Sequence, residues 1–160
     1  MGNLKRKGLE VFVRAAAHLP DLRFFVVGSW LDRSIDFLKS IASPNVVFTG
    51  RLSDERLISL LRKTSVYVQA SMHEGFGCSM AEAMLCGCVP VVSGRGAIPE
   101  VVGDTGIYVD PGEEQSVAQG ISEAMTQVTT GALARNRIVT LFPLERRRKL
   151  LLEAVDEVLR

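Results

Sequence analysis

The chain has 160 residues, 47% apolar and 23% charged, with 19 basic and 18 acidic side chains leaving a formal charge of +1. A chain of this length buries most of its unfolded surface without a disulfide or metal staple, and one domain is the prior expectation. The balanced charge offers no whole-molecule field for nucleic acid, no apolar run nears the roughly 20 residues of a spanning helix, and MGNLKRKGLEVF lacks a signal-peptide core.

Helical spacing comes first: Leu9, Phe12, Val13 and Ala16 recur within residues 8–18, and Leu19-Pro20 stops the segment. RFFVVG (23–28) is then a short apolar run closed by glycine, the mark of a buried strand. LDRSIDFLKSIA (31–42) puts Leu31, Ile35, Leu38 and Ile41 on one helical stripe, and NVVFTG (45–50) reads as a second strand. SDERLISLLRK (53–63) opens as a helix, with Ser53 as N-cap and acids in its first turn. SVYVQA (65–70) is a third strand, followed by a helix over 77–85 and a strand over 88–93.

Beyond these, the pattern predicts a short helical turn at 99–102, a strand at 106–110 and a helix over 113–129. The tail, 144–160, is an amphipathic helix carrying Leu151, Val155, Val158 and Leu159. Strands that are apolar on both faces and alternate with helices predict an α/β fold, a doubly wound parallel sheet covered on both sides. Such sheets bind ligands beyond the carboxyl ends of their strands. The first helix begins so near residue 1 that the strand expected before it is missing or very short, as in a chain cut from something larger.

The segment richest in chemistry is SMHEGFGCSMAEAMLCGCVP (71–90). It follows a strand, turns through Gly75 and Gly77, and enters a helix. Glycines let the backbone approach a ligand, and a helix N-terminus directs free N–H groups at an anion such as a phosphate. Glu74 precedes the turn and Glu82 lies in the second turn of the helix, so the two can flank one ligand. Ionised carboxylates there would accept hydrogen bonds from sugar hydroxyls. The plainer alternative is an ordinary strand-to-helix turn with a solvated Glu74 and a structural Glu82.

Seven residues separate those glutamates, and E-G-F-G-x-S-x-A-E-A-M resembles the E-x7-E motif of retaining GT-B glycosyltransferases of the GT4 type. FFVVG, NVVFTGRLSDERL, SVYVQAS, EGFGCSMAEAMLCGCVPVV and PEVVGDTGIYVDP follow the order and spacing of that family's Rossmann-like, C-terminal, donor-binding domain. The resemblance covers residues 2–125 and implies a nucleotide-sugar-binding domain over 1–130 with a helical extension over 131–160. It places Glu74 beside the donor sugar as the catalytic candidate and Glu82 on the ribose hydroxyls. The backbone at Gly77, Cys78 and Ser79 would cradle the distal phosphate, Gly75 and Phe76 would also belong to the donor site, and Lys7 would neutralise the diphosphate. Gly28, Arg51 and Leu52 would line the nucleotide side, the last two meeting the base through their backbone.

The resemblance further implies metal-independent transfer from a UDP-, GDP- or ADP-linked sugar to a glycan or lipid-linked acceptor, with no cofactor. No D-x-D triplet of the kind that holds a divalent ion is present. Relatives carry the acceptor on an N-terminal domain that is absent here, and often an arginine where this chain reads Gly2-Asn3-Leu4; Lys5 and Arg6 are the nearby charges. The rival readings are a non-catalytic nucleotide-sugar-binding module and a GT-B-type epimerase fragment. The E-x7-E spacing argues against the epimerase.

His73 has two readings, a contact to the donor and a structural histidine, whereas His18 reads as structural. Trp30 reads as packing under a loop rather than lining the cleft. Cys78, Cys86 and Cys88 lack metal or dithiol spacing and read as small buried hydrophobes of a reducing cytoplasm. Arg146–Lys149 reads as a solvated face, with peripheral contact to the anionic inner membrane face as the functional option. An under-buried stripe on the same helix would favour homodimerisation or aggregation.

Overall fold

The computed structural model describes residues 6–29 and 33–159. Asn3, Lys5, Trp30 and Leu31, all singled out above, lie outside them. Five strands are present among the described residues: β1 (Phe24–Val27), β2 (Val46–Gly50), β3 (Val66–Gln69), β4 (Val89–Ser93) and β5 (Ile107–Val109). Eight helices accompany them: α1 (Leu9–Ala15), α2 (Ser34–Ile41), α3 (Asp54–Leu61), α4 (Cys78–Leu85), α5 (Ile98–Val102), α6 (Glu114–Thr126), α7 (Thr130–Leu141) and α8 (Leu144–Val158). A short 3-10 turn (Ala16–His18) extends α1.

All pairing is parallel. β1 runs beside β2, and β3-β4-β5 form a second ladder in that order. β4 is buried along its whole length, as expected of a central parallel strand with helices on both faces. On one face, α1 and α6 close over Phe24, Ala70, Val89 and Val91, while Val13, Val26 and Leu38 join α1, α2 and β1. On the other, Met80 and Met84 of α4 meet Val92, Val101 and Val102, with Ala134 and Ile138 of α7 behind them. The doubly wound, Rossmann-like architecture is therefore present.

Local chemistry explains several boundaries. Ser53 Oγ accepts from Arg56 N–H at 3.4 Å and caps α3, as its sequence predicts. The end of α1 is held from across the sheet: Asn45 Nδ2 donates to the carbonyls of Ala16, Leu19 and Leu22 at 2.8–3.0 Å. Two of those oxygens also accept backbone N–H groups, from Leu19 and Leu22 at 3.1 Å, so Asn45 adds a second donor to each and ties the chain after the helix to the entry of β2.

Three expectations change. The helix predicted over 113–129 ends at Thr126, and α7 follows directly; the hydrophobic pattern assigned it no element, although the resemblance gave a helical extension over 131–160. Its buried residues are Gly131, Ala134 and Ile138, mostly too small to give a hydrophobic stripe. Gly131 lies against the Gly87 carbonyl, and Arg137 reaches the carbonyls of Glu100 and Val101 at 2.8 Å each. The cysteines also divide: Cys88 is buried, Cys86 is intermediate and Cys78 is exposed, because Cys78 opens α4 at the sheet's carboxyl rim. The tail behaves as its stripe predicts, since α8 buries no residue and leaves Leu151, Val155, Val158 and Leu159 exposed.

Candidate functional site

The site forms where β3 ends. Along this strand the side chains of Val66, Val68 and Ala70 enter the apolar core, so Tyr67, Gln69 and Ser71 occupy the opposite face. Those three are polar and lead directly to Glu74. Gln69 Nε2 donates to Ser71 Oγ at 2.5 Å and to Glu74 Oε1 at 3.0 Å, and Ser71 Oγ donates to the same Oε1 at 3.0 Å. Lys7 Nζ completes the group at 2.5 Å from Glu74 Oε1. Oε1 thus receives three donors while the carboxylate side chain is only 11% exposed.

Burial works against the Glu74 charge, but the bonds from Lys7 and Ser71 and the positive charges of Lys7 and Arg6 outweigh it. The carboxyl is held below its ordinary value and is ionised at neutral pH. Tyr67 responds in the opposite sense. Its desolvation is the largest cause, the negative charges of Glu74 and Glu82 add to it, and the phenol is pushed upward despite its bond to Ser79. Tyr67 Oη lies 3.0 Å from Ser79 Oγ and 3.1 Å from Gln69 Oε1, which links the start of α4 to the Glu74 group.

The backbone around Glu74 is gripped by the crossover after β4. Ala97 N–H donates to the Glu74 carbonyl at 3.1 Å, and Ser93 Oγ donates to the Ser71 carbonyl at 2.5 Å. Gly96, at φ +60°, approaches so closely that an added Cβ would stand 2.5 Å from that Glu74 oxygen. The glycines of the turn differ from each other. Gly77 adopts φ +82° as the residue preceding α4, whereas Gly75 has open space around it.

The candidates assemble in part. Lys7, Ser79 and Glu82 line one cleft of about 600 Å³ that runs down between β1 and β3, and Glu74 adjoins it through Lys7. Gly28 and Gly50 sit together at the carboxyl ends of β1 and β2, joined by Gly28 N–H to Gly50 O at 3.0 Å, with Arg51 and Leu52 following. Phe76 is turned away from that cleft. Its ring meets Phe142 edge-on with centroids 5.5 Å apart. His73 is exposed, and His18 binds Glu114 Oε1 at 3.2 Å, joining α1 to α6. Among the described residues, no group of three His, Cys, Asp or Glu is arranged to hold a metal ion.

Gln69, Ser71, Tyr67 and Gly96 were not among the residues picked out from the sequence. A signal was present for three of them, because polar side chains at every second position of an otherwise apolar strand require a polar destination.

Comparison with known proteins is consistent across sequence and structure. Residues 1–127 match the family described as glycosyl transferases group 1. The chain is 30% identical over 132 residues to the serotype-specific mannosyltransferase WbdA of Escherichia coli, covering 76% of this chain and 16% of that protein. HepE of Anabaena, solved in complex with UDP and glucose, superposes with a TM-score of 0.82 at 26% identity, over 94% of this chain and 45% of HepE. The C-terminal domain of the glycosyl transferase group 1 protein LpcC from Francisella tularensis superposes with a TM-score of 0.75 at 26% identity, over 88% of this chain and 82% of that domain. The present chain therefore spans a minor part of the full-length relatives and most of an excised C-terminal domain.

Proposed function

The chain belongs to the glycosyl transferases group 1 family, and on that premise we propose that it is the donor-binding half of a retaining, metal-independent glycosyltransferase. The donor is a nucleotide diphosphate sugar, and the acceptor is a glycan or a lipid-linked saccharide. The observation that carries the reading is the Glu74 group: an ionised carboxylate held by Lys7, Gln69 and Ser71 at the carboxyl end of a parallel strand. HepE, with UDP and glucose bound, supports a nucleotide sugar as the ligand class.

In this reading each residue has a distinct task. Three donors saturate Oε1 of Glu74, which fixes the carboxylate and presents its second oxygen to a hydroxyl of the donor sugar. Lys7, 34% exposed, is placed to share its charge between Glu74 and an incoming diphosphate. The first N–H groups of α4 behind Gly77 receive the distal phosphate, and Glu82 accepts from the ribose hydroxyls. Positive charge and fixed N–H dipoles then stabilise the departing diphosphate as the sugar bond breaks. No described residue is assigned as a covalent nucleophile.

Three free thiols, and among the described residues no helix long and apolar enough to cross a membrane, are compatible with a cytoplasmic setting. The test of the donor assignment is calorimetric titration of the chain with UDP, GDP and ADP, then with their sugar conjugates. Micromolar binding of one nucleotide, strengthened by its sugar, supports the reading and names the base. Absence of binding at millimolar ligand by the folded chain overturns a self-sufficient donor site.

A further inference from the structure

A relay of hydrogen bonds runs from the head of α4 to Glu74, and the position of its protons fixes its direction. Glu74 is ionised and accepts only, so the amide nitrogen of Gln69 faces it; the reverse orientation would set oxygen against carboxylate. Gln69 Nε2 then gives one proton to Ser71 Oγ and one to Glu74 Oε1, and Ser71 passes its own proton to the same Oε1. Gln69 Oε1 is left as an acceptor 3.1 Å from Tyr67 Oη, and only the phenol can supply the proton between them. Burial, with the negative charges of Glu74 and Glu82 added to it, pushes the Tyr67 pKa up, so the phenol keeps that proton at neutral pH. Tyr67 Oη also lies 3.0 Å from Ser79 Oγ. Its single proton is already committed to Gln69, so in this contact Ser79 donates, which agrees with the downward pull of Ser79 on the phenol.

Ser79 Oγ is thus an exposed hydroxyl oxygen whose proton is turned inward, leaving lone pairs for a ligand. Glu82 follows three positions later, on the same face of α4 and likewise exposed. A carboxylate also accepts only, so the two side chains present a pair of acceptors with no donor of their own. Phosphate oxygens, themselves acceptors, gain nothing from such a pair and find their donors in the backbone N–H groups at the start of the helix. Two neighbouring hydroxyls, by contrast, bring one donor for each acceptor. On the donor reading above, which puts Glu82 against the ribose, we propose that Ser79 Oγ accepts from one ribose hydroxyl and Glu82 from the other. Tyr67 is then the positioning residue that makes Ser79 an acceptor, and the pair selects a ribonucleotide over either of its deoxy forms.

Calorimetry with UDP, GDP and ADP, and then with the 2′-deoxy and 3′-deoxy forms of whichever binds, tests this pairing. The wild type is expected to bind each deoxy form about fivefold or more weakly than the parent, the net worth of one hydrogen bond. Ser79→Ala should abolish that difference for one deoxy form and keep it for the other. Ser79→Thr, which restores the hydroxyl, should restore the lost difference. Tyr67→Phe leaves Ser79 in place but frees its proton, so it should reduce the same difference, a result that space-filling by Ser79 does not give. Where Tyr67→Phe does not fold, the Ala and Thr variants of the exposed Ser79 decide the matter. Both differences intact in Ser79→Ala would overturn the proposal while leaving the donor reading in place. That outcome, with all three forms weakened equally, would assign the Ser79 hydroxyl to phosphate instead. Full discrimination in a folded Tyr67→Phe would remove Tyr67 as the positioning residue. If none of UDP, GDP and ADP binds the folded wild type, the donor reading fails and the ribose assignment with it.

Discussion

Lys7 Nζ and Glu74 Oε1 are 2.5 Å apart although 67 positions separate them in the chain. The contact ties the entry to α1 to the end of β3, across the rim of the cleft. One ion pair thus contributes to the packing of two elements and, with Ser71 and Arg6, holds the candidate catalytic carboxyl below its ordinary value.

Replacing Lys7 should therefore cost stability and change its pH dependence. Lys7→Met is expected to destabilise by about 1–2 kcal/mol, the smaller end reflecting the partial exposure of the ammonium. The Glu74 carboxyl is depressed in the folded state, so its contribution is complete above the ordinary value of 4.5 and is lost as pH falls through the folded value. Thermal unfolding followed from neutral pH downward should show a shallower acid decline in Lys7→Met than in the wild type. Parallel curves would exclude Lys7 as the cause of the shift.

Glu82 and Glu74 should separate by ligand. Glu82→Gln is expected to weaken the nucleotide and the nucleotide sugar alike, by about 1.5–3 kcal/mol for a charge-assisted bond. Glu74→Ala should weaken the nucleotide sugar and leave the free nucleotide within about twofold, less than a tenfold step of 1.4 kcal/mol. Calorimetry on the two variants checks both, and equal losses for both ligands in Glu74→Ala would remove that residue from the sugar subsite.

Gln69, 7% exposed, gives a third case, since it donates to Glu74 while filling space beneath it. Gln69→Leu removes the donor and leaves Ser71 and Glu74 with one fewer partner, at an expected cost of about 1–3 kcal/mol in urea unfolding. It should also lower affinity for the nucleotide sugar more than for the nucleotide. A variant as stable as the parent would mean that the polar row is dispensable.

The thiols should react in order of exposure. Cys88 Sγ donates to the carbonyls of Leu61 and Thr64 at 3.2–3.3 Å, and burial pushes its pKa up to about 11. Cys78 is exposed at the head of α4. A disulfide reagent at mildly alkaline pH should modify Cys78 first and Cys88 only on unfolding, as read by peptide mapping. Early labelling of Cys88 would show that the α3–α4 junction opens easily.

The sequence exposed some of this more readily than the rest. β4 and the helix capped by Ser53 were legible because a fully apolar run and an N-cap with acids are local signals. α7 was not, since Gly131 and Ala134 pack through smallness, which leaves no periodic trace. At the site, Glu74, Glu82 and Lys7 came forward through spacing and family likeness. Gln69 and Ser71 stayed hidden because their strand was read for its apolar members. The grip of Gly96 on Glu74 joins loops 22 positions apart, a relation that no local pattern encodes.

That grip has a consequence for how such a site can diversify. Because the loop after β4 touches Glu74 through backbone atoms, the exposed side chain of Arg95 beside it is free to vary without moving the carboxylate. Gly96 is the fixed pivot and its neighbour the interchangeable face. A substitution at position 95 would leave the anchoring of Glu74 intact, so variation in this loop need not come at the expense of the carboxylate beside it.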